Sequence, residues 1–239
     1  MMILALESSA TACSAALSRD GELVAQTWQN SGLTHSRTLL PMVDSMLKNC
    51  EMTLEQVDVV AVAAGPGSFT GLRIGVSAAK GLAWPADKPC AGVSTLEAMA
   101  WNLAHMGMDL CPVMDARRHQ VYNARFLGTG EGLERLTPDR AISLANLAEE
   151  LKSVQKPQIL IGDGANLCYT TLKELGLDVR LAPPHLHFQS AWGVARAALE
   201  QSRAGTLTDA RELVPVYHRL SQAERERLAR LNGDGKPKN

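Results

Sequence analysis

Two acids stand where short apolar runs stop. Glu7 closes MILALE (2–7) and Asp115 closes LCPVMD (110–115). Carboxylates at the ends of neighbouring strands could hold a metal-bound water, or simply pack at the junction of two lobes. The second reading is the one taken, because strand-end acids are more often structural. A glycine-rich stretch, AAGPGSFTGLRIGVSAAKGLAWP (63–85), is the other candidate for chemistry. A strand, a tight turn and a helix N-terminus make a geometry that binds phosphate. Yet GPGSFTGLRIG has neither the GxxxxGK[ST] nor the GxGxxG spacing. Gly162-Asp163-Gly164 makes a second glycine turn at a strand end. Ser8 or Ser9 as a nucleophile needs a histidine partner that spacing does not identify. His185 and His187 follow two prolines with no acid or cysteine beside them, a poor zinc set.

The glycine-rich stretch must be positioned by a helix over about 71–84. Ser68 or Thr70 can cap its start, and Pro85 ends it. Leu72, Val76, Ala79 and Ala83 form an apolar stripe. Gly71, Gly75 and Ala78 form a small-residue stripe beside it, and Arg73, Ser77 and Lys80 a polar face. Glycine inside a helix costs about 1 kcal/mol against alanine, so these need a reason. Either the helix packs tightly on its own sheet, or it also receives a second protein.

Composition limits the alternatives. The 239 residues carry 46% hydrophobic side chains, enough for a substantial core, and a net charge of −1. There is no general basic field for nucleic acid. The odd set of five cysteines, Cys13, Cys50, Cys90, Cys111 and Cys168, is scattered without a CxxC, which reads as free thiols in a reducing compartment. The N-terminal run lacks a basic flank and is broken by Glu7, so no signal peptide is expected. No run approaches the ~18 apolar residues of a membrane helix. The expectation is a cytoplasmic protein with no membrane contact.

Read in order, 2–7, 13–18 and 22–29 are strands, with Asp20-Gly21 marking a hairpin. A helix covers 34–50, where Pro41 is tolerable only near the start. A single turn at 53–56 with a capping-box pattern, a buried strand at 57–64, the glycine-rich helix, a short strand at 90–93 and a helix at 94–104 complete the first part. The second part repeats the order: strands at 110–115, 120–127 and 133–136, a helix at 143–152, a strand at 158–162, a helix at 165–175, a strand at 179–181 and a helix at 189–203. The fold class is α/β, a duplicated β-β-β-α-β-α-β-α unit in two lobes, 1–105 and 106–205. A segment 206–239 is expected to pack back over 212–220 and end in a disordered tail.

This duplicated unit, each copy opening on a strand that ends in an acid, resembles the actin-like ATPase (ASKHA) superfamily. The resemblance implies two lobes facing a cleft, with phosphates held by the first hairpin of each. Phosphate must approach backbone N–H groups, which a Cβ obstructs. Yet the hairpins read Glu7-Ser8-Ser9-Ala10-Thr11 and Asp115-Ala116-Arg117-Arg118-His119, without glycine. An efficient ATPase is not expected. At most Glu7, Asp115, Gly162 and Gly164 offer a weak nucleotide contact.

MILALESS (2–9), the His35 region leading into Leu39-Leu40-Pro41-Met42, and GPGSFTGLRIG (65–75) are similar to the TsaB family, also called YeaZ. Val216-Tyr217-His218-Arg219 with Ala223-Glu224 resembles its C-terminal pattern, with His218 a departure. The resemblance implies a non-catalytic scaffold or activating subunit of the bacterial machinery that puts threonylcarbamoyl on adenosine beside the tRNA anticodon. The implied partners are TsaD as a heterodimer, the TsaE ATPase through TsaD, a second copy when TsaD is absent, and tRNA only via the complex. No cofactor and no metal are implied. TsaD-like proteins carry two histidines four apart after a Gly-Val strand, and the matching positions here are Thr95 and Met99, poor ligands for such a metal. Under this reading helices 34–48 and 71–84 form the interface, through Leu39, Met42, Val43, Met46, Gly71, Arg73, Gly75, Ala78 and Lys80. The alternatives are a metallopeptidase-like or kinase-like enzyme, or a tRNA-binding module using Arg117, Arg118 and Arg125.

Overall fold

The computed structural model describes residues 1–219. Its first part runs β1 (Met2–Glu7), β2 (Cys13–Arg19), β3 (Glu22–Gln29), α1 (His35–Asn49), β4 (Val59–Gly65), α2 (Phe69–Ala83), β5 (Cys90–Ser94) and α3 (Thr95–Trp101). The sheet order is β3-β2-β1-β4-β5, with β1 and β2 antiparallel and β1, β4 and β5 parallel. The fully buried apolar runs of β1 and β4 are what a strand covered on both faces requires. This is the expected unit, strand for strand.

The second part runs β6 (Asp109–Asp115), β7 (Gln120–Asn123), β8 (Phe126–Gly128), β9 (Leu133–Arg135), β10 (Arg140–Ser143), α4 (Leu144–Lys152), β11 (Gln158–Ile161), α5 (Ala165–Glu174), β12 (Val179–Leu181) and α6 (Ala191–Arg203). Its main order, β10-β7-β6-β11-β12, repeats that of the first sheet. The expected single strand 120–127 is broken at Ala124-Arg125. Opposite lies Pro112, which has no N–H to continue the ladder, and the Asn123 side chain takes the Pro112 carbonyl instead at 3.1 Å. β8 and β9 then form a side hairpin on β6, and β10, not anticipated, fills the outer position beside β7.

The two parts exchange helices. Leu96, Met99 and Ala100 of α3 pack with Leu110, Phe126 and Ile159 of the second lobe. Val194, Ala195 and Ala198 of α6 pack with Ile3, Ala61 and Ala91 of the first. The close approach of α3 and α6 needs Gly193, where a Cβ would collide with the Ala98 backbone. A cut at 105/106 therefore divides the sequence repeat but not the packing. Pro41 also departs from expectation, sitting well inside α1 rather than at its start. It is tolerated because both it and Arg37, the residue four positions earlier, face solvent.

After α6 the chain returns to the first lobe. Thr208 makes an isolated antiparallel bridge with Cys90. Lys80 Nζ donates to the carbonyls of Arg211 and Leu213 at 3.0 and 3.1 Å, and the Val216 N–H donates to the Ala64 carbonyl at 2.7 Å. The segment 212–219 thus lies against the first lobe. The tail expected to be disordered lies outside the described residues.

Candidate functional site

The ends of β1, β4, β6 and β11 open onto a cleft between the lobes, with a cavity of about 490 Å³. Ser9-Ala10-Thr11 and Gly67-Ser68-Phe69 line one side, Asp115-Ala116-Arg117 and Asp163 the other, and Val216 to Arg219 cross it. Gly67 is needed here, since a Cβ would stand 2.5 Å from the Ser9 carbonyl oxygen. The Ser68 N–H donates to that same oxygen at 2.6 Å, and its hydroxyl caps α2 through the Gly71 N–H at 3.3 Å.

Glu7 is fully buried beneath the first hairpin. Its Oε1 accepts the Ser9 N–H at 2.5 Å, while Oε2 has no partner among the described residues. Burial pushes its pKa up to about 7, opposed by the Ser9 hydrogen bonds. Asp163 is raised in the same direction, also by burial, and accepts from Gln189 Nε2 at 3.2 Å. Asp115 is tied to its own hairpin, accepting the Arg117 N–H at 2.7 Å and facing its guanidinium at 3.3 Å. Among the described residues no group of histidines, cysteines and acids is arranged to hold a metal ion.

The weak nucleotide set is not assembled. Of its four members only Asp115 lines the cavity. A Cβ at Gly162 would strike the Val113 carbonyl, and one at Gly164 would stand 3.0 Å from the Asp115 nitrogen. Both glycines let the turn after β11 press on β6 rather than expose N–H groups to a ligand. The second hairpin is further from a phosphate cradle still. Arg117, Arg118 and His119 all take left-handed backbone, with φ of 65°, 56° and 56°, a conformation that costs non-glycine residues about 1 kcal/mol each. Nor do the arginines form a basic patch, because Arg125 is half-buried away from the hairpin, 3.7 Å from the carboxylate of Asp109. Thr95 and Met99 sit in the interlobe core, and the Met99 sulfur would stand 3.0 Å from a Cβ at Gly162.

The α1–α2 face also differs from expectation. Met42, Val43 and Met46 are buried in the first lobe's own core. Gly71 and Gly75 face β1, where a Cβ at 75 would stand 2.5 Å from the Ser8 hydroxyl. These five residues pack the fold internally, and Lys80 holds the C-terminal segment. Leu39, Arg73 and Ala78 do line a surface groove of about 590 Å³, joined by His35, Leu40, Phe69, Ile74 and Ser77. His35 Nε2 lies 2.7 Å from the Ala10 carbonyl, so the groove's upper end touches the first hairpin.

Asp163, Phe69, Tyr217 and Arg219 lie in stretches the sequence marks, but nothing in it assigns them a role in the cleft. Asp163 could have been assigned one, as a third acid at a strand end. The other three meet only in space.

The alternating sheets, the exchanged helices and the cleft at the strand ends define an actin-like two-lobed protein. The activator of the 2-hydroxyisocaproyl-CoA dehydratase from Clostridium difficile shares this fold, with a TM-score of 0.50 and 12% identity, covering 86% of this chain and 97% of that one. YeaZ from Pseudomonas aeruginosa is much more similar, with a TM-score of 0.78 and 25% identity over 90% of this chain and 99% of that one. The family model for TsaD, tRNA N6-adenosine threonylcarbamoyltransferase, matches residues 29–225. The tRNA threonylcarbamoyladenosine biosynthesis protein TsaB of Bacillus subtilis (strain 168) is 35% identical over 225 residues, 94% of this chain and 96% of the relative. The protein of the same name in Escherichia coli (strain K12) is 33% identical over 184 residues, 75% of this chain and 79% of the relative. The chain belongs to the TsaB (YeaZ) family.

Proposed function

We propose that the protein is a non-catalytic subunit of the machinery that forms threonylcarbamoyladenosine in tRNA, and that it acts by binding a TsaD-type catalytic subunit along α1 and α2. The observation that carries the reading is the groove between these helices. Leu40 is 48% exposed there, beside half-buried Ile74 and Ala78, on a face that no other part of the described chain covers. The names of the TsaB relatives supply the pathway. The buried Thr95 and Met99 support a non-catalytic role, since neither side chain is a good ligand for a catalytic divalent metal. On this reading the TsaE ATPase joins through TsaD, tRNA is reached only through the complex, and a second copy occupies the groove when TsaD is absent. The site of action is the cytoplasm.

A double substitution, Leu40→Asp with Ser77→Arg, tests this. Both side chains are exposed, so the fold should tolerate the change within about 0.5 kcal/mol per site. The variant should fail to co-purify with TsaD and fail to support tRNA modification in a reconstituted system. Wild-type co-purification would overturn the docking face. Modification at full rate without this chain would overturn the role. Enlarging Gly75 would not test docking, because a Cβ there crowds the Ser8 hydroxyl within the lobe itself.

A further inference from the structure

The segment 213–219 bridges three places that are far apart in the chain. At its start it is fixed to the first lobe, by Lys80 on the Leu213 carbonyl and by the Val216 N–H on Ala64. In its middle, the Tyr217 ring stacks on Phe69 with centroids 4.7 Å apart. Arg73 Nε donates to the Tyr217 hydroxyl at 3.1 Å, and its guanidinium carbon lies 3.8 Å from the Phe69 centroid. At its end, Arg219 Nη1 donates to the carbonyls of Ala116 and Arg117, on the second lobe's left-handed hairpin. Val216 to Arg219 form one wall of the interlobe cavity, and Phe69 lines both that cavity and the α1–α2 groove.

We propose that 213–219 is a strap that holds the interlobe cleft closed, and that Arg73 couples it to the groove. Arg73 is exposed and links the two surfaces: it lines the groove, and its guanidinium holds Tyr217, which lines the interlobe cavity. The occupant of the groove is the TsaD-type partner proposed above, and a carboxylate on it that engages this guanidinium forms a charge-assisted pair, stronger than the bond to a neutral phenol. Losing the guanidinium unpins Tyr217 from Phe69. With Tyr217 free, Arg219 no longer spans to Ala116 and Arg117, and the cleft opens. The strain stored in three successive left-handed residues fits a hairpin held by a removable contact. The occupant rests on the proposed function, whereas the strap is a property of this chain alone and is tested without any partner.

Hydrogen exchange on the full-length protein, without any partner, tests it, since exchange reports local opening. The reporters are the Val216 amide, bonded to Ala64, and the hairpin amides of Ala116 and Gln120, bonded within the second lobe. Arg73→Ala removes only an exposed side chain and should accelerate exchange about tenfold at Val216 and at the hairpin together, while amides of β1 stay protected. Tyr217→Ala should do the same. Arg219→Ala should accelerate the hairpin amides and leave Val216 unchanged. If Arg73→Ala speeds Val216 alone, or neither reporter, the strap does not link the two surfaces and the proposal fails.

Discussion

The Ser8 hydroxyl donates to the Gly71 carbonyl at 2.9 Å, and a Cβ at Gly71 would collide with the Ser8 carbonyl oxygen. The first turn of α2 is therefore fastened directly to the end of β1. This contact gives the helix glycines their purpose. Gly71 and Gly75 let the helix press on the end of β1, and neither is displayed to a partner.

Gly71→Ala should accordingly destabilise the protein by about 3 kcal/mol, because an overpacked backbone contact has no flexible side chain to move. Gly81 is the internal control. It lies in the same helix with nothing within 4 Å of an added Cβ. Gly81→Ala should stabilise by about 0.5–1 kcal/mol through helix propensity. Denaturant unfolding of the two variants should shift in opposite directions.

The same comparison marks where sequence reasoning stops. Apolar period located most strands and the six α-helices among the described residues, because periodicity reports which face of an element is buried. It does not report what buries that face. Gly71 and Gly75 of the small stripe of α2 are expected at a partner and face Ser8 instead, while Ala78 does line the groove. Met42, Val43 and Met46, expected at the partner interface, are core. α3 and α6 are expected with their own repeats, yet α6 packs on the first lobe and α3 packs between the two. β10, RAIS, has too short and mixed a pattern to announce itself, and is held by pairing with β7. Tyr217 and Arg219 stand in a recognisable C-terminal pattern, but their place in the cleft wall is not legible there, since their partners Phe69 and Ala116 lie far away in sequence.

Glu7 makes the stability of the fold depend on pH. Its folded pKa is raised from 4.5 to about 7, so between these values the folded state holds a proton that the unfolded state has lost. Stability from this group is therefore full below pH 4.5, falls as pH rises and is lost above about pH 7. Glu7→Gln keeps an acceptor for the Ser9 N–H and removes the ionisation. It should be neutral near pH 4 and stabilising at pH 8, by about 3 kcal/mol at most. Urea midpoints at the two pH values measure it. An equal shift at both would refute the assignment.

Thiol reactivity should be confined to one residue. Cys13, Cys90, Cys111 and Cys168 are buried, whereas Cys50 is half-buried at the end of α1. Burial pushes the Cys111 thiol up to about 11 and Cys168 to about 12, so neither supplies thiolate near neutral pH. A chromogenic disulfide reagent at pH 8 should titrate one thiol promptly in the native protein and all five after denaturation. Cys50→Ser should abolish the prompt phase.

The Asp109 carboxylate lies 3.7 Å from Arg125 and accepts from Gln158 Nε2 at 3.0 Å, with both members of the ion pair largely buried. Removing one partner of such a pair leaves an uncompensated buried charge. Asp109→Ala should therefore cost about 3–5 kcal/mol. Lys48–Asp44 is the contrasting case, exposed on α1 at 2.8 Å, and Asp44→Ala there should cost about 0.5 kcal/mol or less. If burial rather than attraction dominates the first pair, replacing both members with apolar residues, Asp109→Leu with Arg125→Met, should recover most of the loss. Urea unfolding of the single and double variants distinguishes the cases. A double variant as unstable as Asp109→Ala would mean that the pair's mutual attraction, and not the penalty of an orphaned charge, holds β8 against β6.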